Sequence, residues 1–124
     1  MREDKQSLTA KPDGKIPKTF KFNGQSYGKG RLVLAIVTDF VKHHPSTTYK
    51  RLVEAFPDDL HSFGIVKPIP AAKKINKPHN RFFMKDTLQL KDKAVAVCSD
   101  FGINNIGKFL DRAGELGYKI RQVA

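Results

Sequence analysis

The chain has 124 residues, of which 40% are hydrophobic and 28% are charged, so it suits one domain with one modest core. This composition excludes an intrinsically disordered chain. Lysine and arginine number 23 against 12 aspartate and glutamate, which gives a formal net charge of +11 at pH 7. Such an excess of cations favours a polyanionic partner, most often nucleic acid, over a basic surface that only aids solubility.

A single cysteine, Cys98, excludes an internal disulfide and lies in the apolar run AVAVCSDF, where we expect a small core residue. A chain without a disulfide framework suits a reducing cytoplasm. The first residues, MREDKQSLTAKPDGK, are too polar for a signal peptide, and the longest apolar run, Leu32 to Val37, is too short to span a bilayer. We therefore expect a cytoplasmic protein and no membrane partner.

The first thirty residues divide into an arm, a hairpin and a short glycine-rich entry. Residues 1–18 are polar and interrupted by prolines, which predicts a flexible N-terminal arm and a single domain over residues 19–124. TFKF and QSYG flank Asn23-Gly24, a pair that tolerates the positive φ angles of a tight hairpin turn. The GKG at residues 28–30 is not a phosphate-binding loop, because Asn23 replaces the first glycine of that motif and Gly30 replaces its Ser or Thr. It is interpreted as a flexible entry to the first helix.

Two helices organise the middle of the chain. Apolar residues nearly all round predict a buried first helix from Leu32 to His44, which Pro45 ends. Ser46, Thr47 and Thr48 offer N-cap hydroxyls to a second helix, whose apolar residues share one face. That face consists of Tyr49, Leu52, Val53 and Phe56.

The second half of the chain predicts strands and one more helix. Gly64 to Arg81 holds three prolines and no acidic residue, and we expect a long, partly extended loop there. RFFMK, TLQL and AVAVCS follow as antiparallel strands. Apolar spacing from Ile106 to Leu116 predicts a last helix that Gly117 ends, and YKIRQV closes the chain as a strand. This order of elements gives an α+β class.

A winged-helix-like arrangement is the alternative topology, because a helix, a short turn, a second helix and a hairpin follow one another in such modules. The third helix would then be the short DDLHS segment, residues 58–62. In that arrangement the polar and basic residues at the start of the second helix would reach phosphates and base edges.

The stretch from Gly64 to Lys85 is the strongest functional signal. Cations held on one loop repel one another, and a polyanion that neutralises them removes this cost and makes binding sensitive to salt. We expect this stretch and the start of the second helix to contact nucleic acid, whereas a solvated mobile loop is the alternative. The predicted contact residues are Lys50, Arg51, Lys67, Lys73, Lys74, Lys77, Arg81 and Lys85.

The histidines and carboxylates do not form a recognisable catalytic or metal-binding pattern. His43 and His44 are adjacent and point apart on a helix, while His61 and His79 are isolated and are interpreted as surface residues. We expect no metal, no cofactor and no enzymatic activity. Asp86, beside a lysine-rich turn, leaves a metal-dependent nuclease as a less favoured alternative.

Four segments resemble a small α+β domain family that recurs in bacterial and phage proteins. They are FNGQSYGKGRLVLAIV, TTYKRLVEAFPDDL, SFGIV and VAVCSDFGINNIGKFLDRAGELGYKI, and the likeness covers nearly everything from Phe20 to Ile120. Members of that family occur alone or attached to DNA-handling or restriction-type proteins, which implies a cytoplasmic, DNA-associated setting. The family has no diagnostic catalytic motif, so the resemblance assigns no functional residue.

The sequence therefore predicts a non-enzymatic nucleic-acid-binding protein, for double-stranded DNA above all, that acts as a monomer or a homodimer. RNA stays open as a partner, because phosphate contacts do not distinguish the two polymers without readout of the 2′-hydroxyl. The alternative is a protein-interaction or regulatory module, such as a counter-defence factor, that binds an acidic protein partner.

Overall fold

The computed structural model describes residues 19–77, 79–102 and 105–123 of the chain. Within these ranges it contains four α-helices and two three-stranded antiparallel sheets, which confirms the α+β class. The predicted flexible arm, residues 1–18, lies outside the described residues. The elements in chain order are β1 (Thr19–Phe22), β2 (Gln25–Tyr27), α1 (Lys29–His43), α2 (Tyr49–Ala55), β3 (Val66–Pro68), α3 (Ile69–Ile75), β4 (Phe82–Gln89), β5 (Ala94–Cys98), α4 (Ile106–Glu115) and β6 (Arg121–Val123).

The first sheet has the strand order β2-β1-β6. Asn23 and Gly24 connect β1 to β2 with φ angles of 51° and 80°, the left-handed conformation that the predicted hairpin turn requires. Lys21 on β1 is the Cα partner of Ser26 on β2 and of Arg121 on β6. The predicted hairpin and closing strand are therefore confirmed, and the first and last described strands pair with each other.

The second sheet has the strand order β3-β5-β4, and its central strand β5 is buried on both faces. Val95 and Val97 belong to the main core with α1, whereas Ala96 and Cys98 form a second, smaller core with α3. The side chains alternate in this way because successive residues of a strand point to opposite faces. One strand thus joins the two cores.

Helix α1 lies at the centre of the main core, as its apolar sequence predicts. Its buried residues pack with aromatic rings from other elements, and the rings of Phe56 and Phe109 stack there with their centroids 5.6 Å apart. Among the described helices, none is long and apolar enough to cross a membrane. The buried residues of α1 are Leu32, Val33, Leu34, Ile36, Val37 and Phe40.

Gly30 lies inside the first turn of α1, so the interpretation of GKG as a flexible entry is wrong. A Cβ atom on Gly30 would lie 2.8 Å from the carbonyl oxygen of Ser99, which follows β5. The absent side chain therefore allows α1 to approach the end of β5. Gly28 is the N-cap residue of α1, and a Cβ atom there would have no heavy atom within 4 Å.

The predicted long loop from Gly64 to Arg81 is wrong, because this stretch contains β3 and α3. Pro68 is the N-cap residue of α3, and Pro70 lies in its first turn. A proline in the first turn of a helix lacks only an N–H that has no partner in the helix, so it does not oppose the fold there. Pro68 and Pro70 thus mark the start of a helix.

The structure also differs from the element order of the winged-helix-like alternative. The segment expected to form a third helix contains a single 3₁₀ turn, Asp58–Leu60. Strand β3 and helix α3 then separate α2 from the β4–β5 hairpin. The helix–turn–helix–hairpin succession that motivated the alternative is therefore interrupted.

Replacing Gly30 by Ala tests the close approach of α1 to β5. The new methyl group would contact the Ser99 carbonyl, so we expect the free energy of unfolding to fall by about 1–3 kcal/mol. Were Gly30 simply an unconstrained helix residue, the same change would stabilise the protein by roughly 0.5–1 kcal/mol.

Urea denaturation of the Gly30→Ala variant shows whether the free energy of unfolding falls or rises. Gly107→Ala is the matched control, because Gly107 is the second residue of α4, as Gly30 is of α1, and a Cβ atom there would have no heavy atom within 4 Å. It should leave the free energy of unfolding unchanged or raise it by up to about 1 kcal/mol. A Gly30→Ala variant as stable as the wild type would contradict the packing described here.

Candidate nucleic-acid interface

Helix α3 carries most of the predicted basic stretch. Its Ala72 side chain is fully buried against Phe82, Ala96 and Cys98, and Ile69 and Ile75 pack at the edge of the same small core. Because these apolar residues recur every three positions, they share one face of the helix. The lysines of α3 therefore lie on the opposite face, in solvent.

The end of α3 is fixed to the start of β4 by the side chain of Asn76. Its Oδ1 atom accepts hydrogen bonds from the backbone N–H groups of Arg81 (2.8 Å) and Phe82 (2.9 Å), and its Nδ2 donates to the Phe82 carbonyl at 3.3 Å. The amide thus satisfies strand groups that would otherwise need a further strand or water. The helix and the strand are held as one unit.

Three lysines, Lys73, Lys74 and Lys77, form what we call the α3 surface. All three are exposed. Within the described ranges no carboxylate lies within ion-pair distance of them, since the ion pairs there involve other residues. The structure therefore presents three uncompensated positive charges on one anchored helix and the turn that follows it.

Two of the predicted contact residues are already paired with carboxylates. The Nζ atom of Lys67 lies 3.4 Å from Asp58 Oδ2, and Arg81 Nη1 lies 2.7 Å from Asp100 Oδ2. The Arg81 guanidinium also lies over the ring of Phe63, 4.9 Å from its centroid. These two cations help to hold the fold, and their charge is largely neutralised within it.

Lys85 is exposed in an irregular part of β4. Phe83 is the partner of Val97 and Leu88 is the partner of Val95, so residues 84–87 together face Ala96 alone. The neighbouring Asp86 forms an ion pair with Arg31 of α1 at 3.0 Å. Lys85 thus belongs to a bulge of β4 and not to the α3 surface.

Lys50 and Arg51 occupy the first turn of α2 and are exposed, as the sequence predicts. The Arg51 backbone N–H donates at 3.3 Å to the hydroxyl of Thr48, which is the N-cap residue among the three candidates. Lys91 and Lys93 are not among the contact residues that the sequence predicts. The turn that carries them nevertheless lies beside the start of α2. The sequence does not show this proximity, because the turn is far from α2 along the chain and is brought to it by tertiary packing.

His61 is buried, so its interpretation as a surface residue is wrong. Its Nδ1 atom accepts a hydrogen bond from the Phe63 backbone N–H at 3.0 Å, so its Nε2 atom carries the proton and donates to the Asp100 carbonyl at 2.6 Å. The Asn105 side chain lies 3.3 Å from Nε2. This residue ties the segment before β3 to the segment after β5.

Cys98 lies against the His61 ring, with its Sγ atom 3.9 Å from both ring nitrogens. Burial raises the pKa of the Cys98 thiol to about 11, so the reactive thiolate is scarce near neutral pH. The contact is therefore that of a core thiol, as predicted, and not of a cysteine nucleophile with its base. No three His, Cys, Asp or Glu side chains converge as a possible metal site in the part of the chain that the structure describes.

Comparisons with protein-family models, with curated proteins and with solved structures find no match to this chain. The resemblance to a bacterial and phage domain family therefore stays a prediction. The candidate interface rests on the geometry of the lysines and on their surroundings alone.

Replacing Asn76 by Ala tests whether this amide anchors the α3 surface. Loss of its hydrogen bonds should lower the free energy of unfolding by about 1–3 kcal/mol, because buried strand groups lose their partners. Labelling of Cys98 by a thiol reagent should also become faster, since α3 covers that side chain. Denaturation and labelling kinetics measure the two effects.

Asn80→Ala is the matched control, because Asn80 is exposed and no hydrogen bond joins its side chain to another described residue. It should leave both readouts close to those of the wild type. Equal labelling rates in the two variants would show that Asn76 does not hold α3 in place.

Proposed function

We propose that this chain is a non-enzymatic protein that binds nucleic acid, double-stranded DNA in particular, mainly through phosphate contacts. The observation that carries the proposal is the α3 surface, where three exposed lysines lie without a carboxylate partner among the described residues. The stretch from Gly64 to Lys85 contains no acidic residue that would offset them. A polyanion is the partner that such a surface fits best.

A DNA duplex suits this surface because it carries one negative charge for about every 1.7 Å of its axis. A short helix that presents several cations therefore meets several phosphates at once, and each contact releases a condensed counterion. The α3 backbone is already anchored by Ala72 and Asn76, so binding needs to order only the lysine side chains. This preorganisation supports binding by a small surface.

The proposal concerns phosphate contacts more than base readout. Contacts to phosphates fix the position of a protein on a duplex but carry no sequence information directly. Lys67 and Arg81 contribute little to it, because Asp58 and Asp100 already neutralise them. Lys50, Arg51 and Lys85 remain available as exposed cations on other elements.

The proposal includes a cytoplasmic location and a DNA-associated setting. A single buried cysteine without a disulfide suits a reducing compartment. The resemblance of four sequence segments to a family found with DNA-handling and restriction-type proteins agrees with that setting. RNA duplexes present phosphates as well, so the binding assay should include them beside DNA.

Replacing Lys73, Lys74 and Lys77 together by Ala tests the proposal. We expect the wild type to bind a fluorescent DNA duplex with an affinity that falls steeply with salt. The slope of log K against log salt should fall in magnitude by about 2.7 in the triple variant, at about 0.9 for each lost phosphate contact. Fluorescence anisotropy over a series of salt concentrations measures it.

The matched control removes the same number of charges from exposed lysines on other elements: Lys21, Lys108 and Lys119. Its slope should stay near that of the wild type if α3 is the contact. A wild type that binds neither DNA nor RNA, or two triple variants with equal slopes, would refute the assignment. Thermal unfolding confirms that both variants are folded.

A further inference from the structure

The turn between β4 and β5 is docked against the start of α2. The Lys91 backbone N–H donates to the Thr47 carbonyl at 2.9 Å, and the Tyr49 backbone N–H donates to Asp92 Oδ1 at 3.0 Å. The Nζ atom of Lys93 lies 5.1 Å from the centroid of the Tyr49 ring. Two segments that lie far apart in the chain are therefore held together as one surface.

This docking gathers cations that the sequence keeps apart. Four of these cations have exposed side chains, and we call this group the tip surface. Its members are Lys50, Arg51, Lys91 and Lys93. Within residues 42–54 and 90–93 the acidic side chains are Glu54 and Asp92. Asp92 accepts the hydrogen bond from Tyr49, and no ion pair joins Glu54 to another described residue. The tip surface thus keeps a net positive charge.

An open groove adjoins the tip surface. It has a volume of about 530 Å³ and lies between the end of α1, the α1–α2 connection and the first turn of α2. The Thr47 hydroxyl is not free for a ligand, because it donates to the His44 carbonyl. Among the lining residues of the groove, Arg51 is the one whose side chain carries a permanent charge. The lining residues are His43, His44, Pro45, Ser46, Thr47 and Arg51.

The tip surface and the α3 surface are attached to the same sheet. Pro68, after which α3 begins, is the Cα partner of Val95, and β5 begins one residue earlier at Ala94. Helix α3 therefore starts at the end of the second sheet that also bears the β4–β5 turn, and it ends near the start of β4, which is the partner of the opposite end of β5. An extended partner would have to follow the sheet from one end toward the other to meet both sets of lysines. The two sets of uncompensated cations belong to different elements, and Lys67 on β3 is neutralised by Asp58.

We propose that the tip surface is a second phosphate-binding surface and that one polyanion contacts it together with the α3 surface. This inference rests on the proposed function and specifies its partner. The partner is an extended polymer with regularly spaced negative charges, such as a duplex, and not a mononucleotide or a free phosphate ion, which would meet one surface only. Because hydrogen bonds anchor the backbones of both surfaces to the same domain, contact at one raises the effective concentration of phosphates at the other.

The double variant Lys91→Gln, Lys93→Gln tests the second surface. Both lysines lie outside the α3 surface, and the Lys91 backbone hydrogen bond that docks the turn is retained. The salt slope for a DNA duplex should fall in magnitude by about 1.8 relative to the wild type, at about 0.9 for each contact. Combining these changes with the α3 triple variant should add the two losses, because one duplex makes both sets of contacts.

Lys108→Gln, Lys119→Gln is the matched control, since it removes the same charge from exposed residues elsewhere. If removal of the Lys93 contact with Tyr49 unfolds the double variant, Lys91→Gln alone provides a second test. The magnitude of its salt slope should fall by about 0.9. If the tip variants bind as the control does while the α3 triple variant loses affinity, the second surface is refuted and the proposed function stands. If the wild type does not bind duplexes, both fail.

Discussion

The burial of β5 on both faces is the constraint on which the rest of the structure depends. Val95 and Val97 fill the main core with α1, while the small side chains of Ala96 and Cys98 allow α3 to approach on the other face. Burying apolar surface on both sides of one strand supplies the hydrophobic stabilisation that a short chain needs. The same strand thereby decides where the basic helix lies.

The sequence predicts correctly the elements that depend on residues close together in the chain. The Asn23-Gly24 turn is fixed by residues that tolerate positive φ, and the buried faces of α1 and α4 follow from the spacing of their apolar residues. The proline-rich stretch was different, because prolines are typical both of loops and of the first turn of a helix. This stretch forms a helix whose Ala72 packs against Ala96 and Cys98. Those contacts join distant parts of the chain, so the local sequence does not show them.

The candidate site shows the same division between local and tertiary causes. The sequence predicted which stretch is basic, and the exposure of Lys73, Lys74 and Lys77 agrees with a role as contacts. It did not predict that Asp58 and Asp100 would neutralise two neighbouring cations, because those carboxylates come from other segments of the chain. Nor did it predict that His61 is buried, since an isolated histidine carries no periodic signal of burial.

Tertiary contacts therefore divide the cations of this chain into paired and unpaired groups. Ion pairs neutralise two of the predicted residues. Hydrogen bonds from the backbone N–H groups of Lys91 and Tyr49 bring two further lysines beside α2. The result is two separate groups of exposed cations, one on α3 and the turn after it and one where the β4–β5 turn meets α2.

Amide chemical shifts recorded while a DNA duplex is added to the wild-type protein test the central claim most directly. The account predicts perturbations concentrated in residues 73–77, 50–51 and 91–93, with α4 and the β1–β2 hairpin unchanged. Perturbations spread evenly over the molecule, or none at all, would contradict it.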